Sequence, residues 1–285
     1  MNPERIHRAV SADGTEIAGR VRGDGPPLVL VHGRLEDGEL SWSALWPLLT
    51  DRFTCYAMST RGRDLSGQHP DLTFARLVED VVAFADSLGE PVGLVGHSSG
   101  AGLALAAAAQ TTGTIAVAAY EPVVPTVINE DDIALVGSAM EVFVEAARQE
   151  RHAEAARTLF ERSPMATDDE VVALAALGHF DAMAHYVSVS LQEMGQAAAS
   201  EEPDFSDPSV LGQITAPVLL LHGAETGAWA ADSVRYLADH LAQVEVHEVP
   251  GAAHFGPLLA PEAVAREIVR FFGEAHEGPK EDQPA

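Results

Sequence analysis

Ser98 stands in Gly96-His97-Ser98-Ser99-Gly100, directly after the apolar run VGLV and directly before the helix-forming run AGLALAAAA. A strand that turns sharply into a helix holds the residue at the turn in a strained, presented position, and small residues two places either side let the backbone bend without collision. The chemistry open to such a serine is nucleophilic attack on a carbonyl. Its hydroxyl is a poor nucleophile until a base takes the proton, so a histidine must come from elsewhere in the chain. Of the 12 histidines, His254 in VPGAAHFGPLLAPE falls between the last strand-like run and the last helix-like run, where a side chain reaches over the C-terminal edge of a sheet. His32 and His97 belong to motif turns and read as structural, whereas His179 and His185 read as pocket lining or as surface. The single cysteine, Cys55, lies in the strand-like FTCYAM and reads as a small core hydrophobe, which leaves no disulfide and no multi-cysteine metal site.

The elements that must position these groups alternate along the chain. Two β-rich runs flank the turn dipeptide Asp13-Gly14 and predict an antiparallel opening pair. Then come LVLVH, FTCYAMS, VGLVG, TIAVAAY, VLLLHG and VEVHEVP, several of them continuous apolar runs of the kind buried on both faces of a parallel sheet. Helical patterns lie between them at Thr73 to Leu88, Ser98 to Gln110, Trp229 to Leu241 and Pro261 to Phe272. The expected fold class is therefore α/β: a mostly parallel, eight-stranded sheet flanked by helices. Between Pro122 and Pro217 the alternation stops, and helix formers broken at Ser163-Pro164, Gly178 and EEPDFSDPS predict a helical insertion. The expected division is a core of residues 1–121 and 209–273, a helical cap of residues 122–208, and a flexible, proline-containing tail of residues 274–285.

With these residues in that order, the chain resembles the α/β-hydrolase family from about Ile6 to Phe272. The resemblance implies an oxyanion hole made by the backbone N–H groups of Arg34, after His32-Gly33, and of Ser99, after the nucleophile. It also implies an acid for His254, and here the sequence departs from the commonest family pattern. The usual aspartate position, three residues after Gly223, holds Thr226. Glu121 at the end of TIAVAAY takes first place for the role, with Glu225 and then Asp232 as alternatives. A glutamate at the Glu121 position is the arrangement of haloalkane dehalogenases and zearalenone-type lactonases, and the latter also resemble this chain in pairing a Ser-Ser-Gly elbow with a Glu-Val-Pro turn, here spread over Glu121 to Pro125. Serine rather than aspartate at the elbow speaks against dehalogenase and epoxide hydrolase chemistry.

In this family the cap roofs the site. Phe180, Met183, Tyr186, Val187 and Met194 are spaced so that several share one face of a helix from about Gly178 to Ala199, and read as pocket lining or as packing of the cap on the core. From the core side, Arg34, Leu35, Val123 and Phe255 are expected to flank Ser98. Apolar lining favours a neutral, hydrophobic substrate. The Arg34 guanidinium reads either as a partner for Glu36, Asp37 or another acid, or as a site for a substrate carboxylate. The loop with Arg61, Arg63 and Asp64 reads as structural.

Composition limits the partners. The 285 residues carry 43 acids against 17 basic residues, with Lys280 the only lysine, for a formal charge of −26. Such a surface repels phosphate backbones and anionic lipid, so neither nucleic acid nor membrane is an expected partner. No secretory leader pattern and no run of about 18 apolar residues occurs, which points to a cytoplasmic protein. Residues 129–207 hold 17 acids and four arginines, a net −13, and read as a solvated outer face. The expected function is that of a serine hydrolase needing no cofactor or metal, a carboxylesterase or lactonase that cleaves a small neutral ester or lactone through an acyl-enzyme. The rival readings are a C–C bond hydrolase, perhydrolase or lyase on the same site, or a small-molecule receptor. The sequence leaves the oligomeric state open.

Overall fold

Eight strands, β1 (Arg5–Val10), β2 (Glu16–Arg22), β3 (Pro27–Val31), β4 (Thr54–Met58), β5 (Val92–His97), β6 (Thr114–Tyr120), β7 (Val218–Gly223) and β8 (Val244–Val249), form one sheet in the order β1-β2-β4-β3-β5-β6-β7-β8. The computed structural model describes residues 5–277 apart from Thr112. Pairings β1–β2 and β2–β4 are antiparallel, and the rest are parallel. The central strands β3 and β5 are buried from end to end, as strands covered on both faces must be. The edges expose charge at Arg8 and Glu248, which discourages pairing with another chain.

Successive residues of β3 alternate between two cores. Val29 and Val31 face the helices α3 (Phe74–Asp86), α4 (Ser99–Ala108) and α11 (Ala228–Ala238), which bury Val81, Phe84, Leu103, Leu105, Val234 and Leu237. Leu28 and Leu30 face α1 (Gly38–Trp42), α2 (Trp46–Leu49) and α13 (Pro261–Glu277), with Trp42, Trp46, Ile268 and Phe272. This two-residue alternation is the physical content of the strand reading. Helix α13 continues past Phe272 to Glu277, so residues 274–277 are helical rather than the start of a flexible tail. The remaining residues of that expected tail lie outside the described residues.

Between β6 and β7 the chain forms α5 (Glu130–Arg148), α6 (His152–Glu161), α7 (Asp168–Ala176), α8 (His179–Met183), α9 (Val187–Ala199) and the short α10 (Pro208–Leu211). The first five build a third apolar cluster, in which Phe143, Leu159, Phe160, Leu174, Phe180 and Met183 pack around Leu35 and Phe255 of the core. The single helix expected from Gly178 to Ala199 is instead two helices joined by a 3-10 turn at Ala184–Tyr186. Two ties to the core fall at that break: the Tyr186 hydroxyl donates to Asp37, and the Arg63 guanidinium lies 5.6 Å over the Tyr186 ring. The short α12 (Gly256–Leu259) follows the loop that carries His254. Among the described residues no helix is long and apolar enough to cross a membrane.

Candidate active site

The turn from β5 into α4 holds Ser98 at φ 54° and ψ −121°. Both flanking glycines are sterically required. A Cβ on Gly96 would lie 2.4 Å from the Gly100 carbonyl oxygen, and one on Gly100 would lie 2.3 Å from the carbonyls of Val31 and His32. The Ser98 N–H donates to the Tyr120 carbonyl at 2.9 Å, which fastens the turn to β6. Ser98 lines a cavity of about 530 Å³ together with Gly33, Arg34, Ser99 and His254. Neither the Arg34 nor the Ser99 N–H has a hydrogen-bond partner among the described residues, so both are free to donate to a bound oxygen.

Glu121 follows β6 at φ 48° and is fully buried. Its Oε2 accepts from His254 Nδ1 at 2.8 Å, while Oε1 accepts from the Gly223 N–H at 2.8 Å and from the Thr226 hydroxyl. With Nδ1 donating, His254 Nε2 is left as the ring's acceptor, which is the atom a general base needs. Burial works against the His254 imidazolium, but the hydrogen bond and charge of Glu121, with Glu170 and Glu36 behind it, outweigh burial and raise its pKa. Of the two alternatives, Glu225 is exposed, and Asp232 pairs with Arg235 on the next turn of α11. Thr226, at the position where the family resemblance expects an aspartate, instead donates its hydroxyl to Glu121.

The loop carrying His254 is braced at three consecutive residues. The Tyr120 hydroxyl donates to the Ala253 carbonyl at 2.6 Å, His97 Nε2 donates to the His254 carbonyl at 2.8 Å, and the Phe255 N–H donates to Glu170 Oε1 at 2.6 Å. Glu170 also closes a capping box with Thr167 at the start of α7. The spacing Thr167-x-x-Glu170 was a visible signal for that helix start, but nothing in it pointed to Phe255. Behind the elbow, Glu36 is buried and accepts from Ser41 at 2.7 Å and from His179 Nε2 at 2.9 Å, with His97 Nδ1 at 3.7 Å. These contacts hold its carboxyl well below the usual range despite burial. Among the described residues no group of three or more His, Cys, Asp or Glu side chains has the arrangement of a metal site.

His32 bridges the Gly33 carbonyl and the Thr60 N–H, and burial, with the Arg63 charge, lowers its pKa to about 4, so it is a neutral structural ring. His185 is exposed. Cys55 is fully buried, and burial pushes its thiol up to about 12, so it is inert core. Arg61 is buried against Asp80 and Asp13. Arg63 borders the cavity and ties its loop to the insertion, reaching across to Glu193 and Ser190 of α9 at 2.6 and 3.1 Å.

Of the expected pocket residues, Leu35, Val123, Phe255 and Met194 line the cavity. Phe180 and Met183 do not line it; they are buried in the packing between insertion and core, and Tyr186 is occupied by Asp37. The broken helix is the physical reason, because the 3-10 turn changes the face that α8 presents relative to α9. The sequence reading missed Met140, Phe160, Leu72 and Phe74, which complete the apolar wall.

A family model described as "Alpha/beta hydrolase family" matches residues 28–267, and the chain belongs to that family. It is 38% identical over 94 residues to an N-formylmaleamate deformylase of Pseudomonas putida, a stretch covering 32% of this chain and 35% of that protein. It is 33% identical over 102 residues to a pyrrolizixenacetamide deacetylase of Xenorhabdus hominickii, covering 35% of this chain and 38% of that protein. The matched stretches therefore span little more than a third of either relative. Among solved structures, an alpha/beta hydrolase from Sphaerobacter thermophilus aligns with a TM-score of 0.74 and 26% identity over 93% of this chain and all of that one.

Proposed function

We propose that this protein is a serine hydrolase that cleaves a small acyl compound, a carboxylic ester or lactone, through an acyl-enzyme. Ser98 attacks the carbonyl as His254 Nε2 takes its proton, and the N–H groups of Arg34 and Ser99 hold the oxygen that becomes negative. His254 then protonates the leaving group and activates the water that releases the acyl product. Glu121 fixes the ring's tautomer and stabilises the imidazolium that forms. The helices between β6 and β7 serve as a cap that supplies the cavity's outer wall. The observation that carries this reading is the 2.8 Å pairing of His254 Nδ1 with a buried Glu121, in a cavity that also contains the strained Ser98.

The two curated relatives favour a second reading, in which the bond cleaved is an amide. Their names describe removal of formyl and acetyl groups, and the same residues would serve, with His254 delivering the proton an amine needs to leave. Short-chain p-nitrophenyl esters and the matching anilides separate the two by their kcat/KM ratio. A fluorophosphonate should label wild-type protein at Ser98, and Ser98→Ala should lose both the label and about 10,000-fold or more of turnover. Folded wild-type protein that takes no label would overturn the serine mechanism.

A further inference from the structure

Arg34 contributes its side chain to the wall of the Ser98 cavity, yet no hydrogen bond or ion pair among the described residues satisfies it. Its Nη1 is buried without a hydrogen-bond partner, and no ion pair engages its guanidinium among the described residues. The acids that could have neutralised it are committed elsewhere. Glu36 takes His179 and Ser41, Asp37 caps α1 and accepts from Tyr186, and Glu193 pairs with Arg63. Burial lowers the Arg34 pKa, but a guanidinium starts so high that it stays charged at neutral pH. Glu202 and Asp204 also border the cavity, but they are exposed and screened by water and salt. Among the described residues Arg34 is therefore a cation beside the nucleophile with no ion pair of its own, in a protein with a net charge of −26. A guanidinium with a buried donor left unsatisfied is costly to keep, and a planar fork of N–H donors matches one ligand chemistry best, a carboxylate.

We propose that Arg34 anchors a substrate carboxylate, so that the substrate carries a second, non-reacting carboxylate beside its scissile acyl group and an apolar body against Leu35, Val123, Phe160 and Phe255. This deepens the hydrolase reading above and rests on it for the reacting group, and it replaces the neutral substrate expected from the lining alone. Arg34 then acts twice, its main-chain N–H at the oxyanion and its side chain at the carboxylate. The distance between those two substrate groups is set by the reach of one arginine side chain. Binding at the remote carboxylate would position the carbonyl over Ser98.

Monomethyl and dimethyl esters of succinate, glutarate and adipate differ by one carboxylate and serve as probes. On the Ser98→Ala protein, calorimetric titration should show at least one half-ester binding about 10- to 100-fold more tightly than its diester. Arg34→Met in that background should erase the difference, while Arg34→Lys should keep part of it, because an ammonium retains the charge without the fork. With Ser98 intact, the half-ester to diester ratio of kcat/KM should fall by a similar factor in Arg34→Met, mainly through KM. No preference for any half-ester, or a preference that survives Arg34→Met in folded protein, overturns the anchor. The binding assay needs no turnover, so Arg34-dependent binding without hydrolysis of any probe, and without fluorophosphonate labelling, would overturn the hydrolase reading and leave the anchor intact.

Discussion

Leu35, Ser98 and Glu121 each take a positive φ that residues with side chains seldom adopt, at 66°, 54° and 48°. They follow β3, β5 and β6, so three neighbouring parallel strands each carry an unfavourable turn at the same end of the sheet. Each such turn costs on the order of 1–3 kcal/mol and persists where the surroundings over-determine it. Here the surroundings are the β5–α4 packing for Ser98 and four polar contacts for Glu121, counting its N–H to the Leu221 carbonyl at 2.8 Å. If Glu121 is the acid, Glu121→Gln should lower kcat by about 100- to 10,000-fold with the fold intact, whereas Glu225→Gln should match wild type. The sign of the pH effect follows from His254. In wild type, kcat/KM should rise as His254 loses its proton, with a midpoint above the ordinary value of about 6.5, because Glu121 raises it. In Glu121→Gln the same midpoint should move down, because burial is left as the dominant influence; a midpoint that stays put would argue against the pairing. Ser98 was legible because its signal is local: the strand, the two glycines and the helix start all lie within a few residues of it. The placing of Glu121 against His254 was not legible locally, and three acids stayed in contention, since that contact joins positions 133 residues apart.

At the scale of elements, the loop between β8 and α12 is held from both sides of the site. Tyr120 and His97 brace it from the core, and Glu170 braces it from α7 of the insertion. The insertion is tied down further by His179 to Glu36, Tyr186 to Asp37, Arg63 to Glu193, and Gln196 to the backbone of Pro70 and Leu72. Glu170→Ala would leave the buried Phe255 N–H without an acceptor, and should lower stability by roughly 1–3 kcal/mol in a urea titration. It should also reduce kcat, because the residue released is next to His254; a stability loss with kcat unchanged would show that Glu170 supports only α7. None of these ties was visible in the sequence. Glu170 is one of 17 acids between residues 129 and 207, and its isolation from solvent is a property of packing rather than of local pattern. Helices α3 and α13 were legible because their apolar periodicity is strong, and α4 because it is an unbroken run of small apolar helix formers after the Ser98 turn. The residues from 178 to 199 were misread because a helical pattern continues across a turn that tertiary contacts impose.

For the whole molecule, the mostly parallel sheet, though not its strand order, was foreshadowed by the alternation of strand-like and helical runs, and charge supplies the remaining constraint. Thirteen of the 17 acids between residues 129 and 207 are exposed, and only Glu170 and Glu193 are buried. The negative charge there is thus carried mainly by a wet surface, where like charges repel and salt screens them over about 10 Å at 0.1 M. The melting temperature should rise by several degrees as NaCl goes from about 0.02 to 0.5 M. A Tm that is flat or falls over that range would mean that attractive pairs outweigh the repulsion.

The junctions of the insertion have a practical consequence for evolution and engineering. On the way out, Glu121 is pinned to β7 through the Leu221 carbonyl, and the Val124 N–H is pinned to Ser233 of α11 at 3.1 Å. On the way back, α10 packs against α4 before β7 begins. Both ends of the segment are thus clamped to the sheet and its helices rather than to the segment itself. Residues 126–207 can be viewed as a cassette: an exchanged segment that restores an acceptor for the Phe255 N–H and partners for Glu36 and Arg63, and leaves Arg34 unpaired, would meet Ser98, His254 and Glu121 in their present arrangement and would change the shape that a substrate's apolar body must fill.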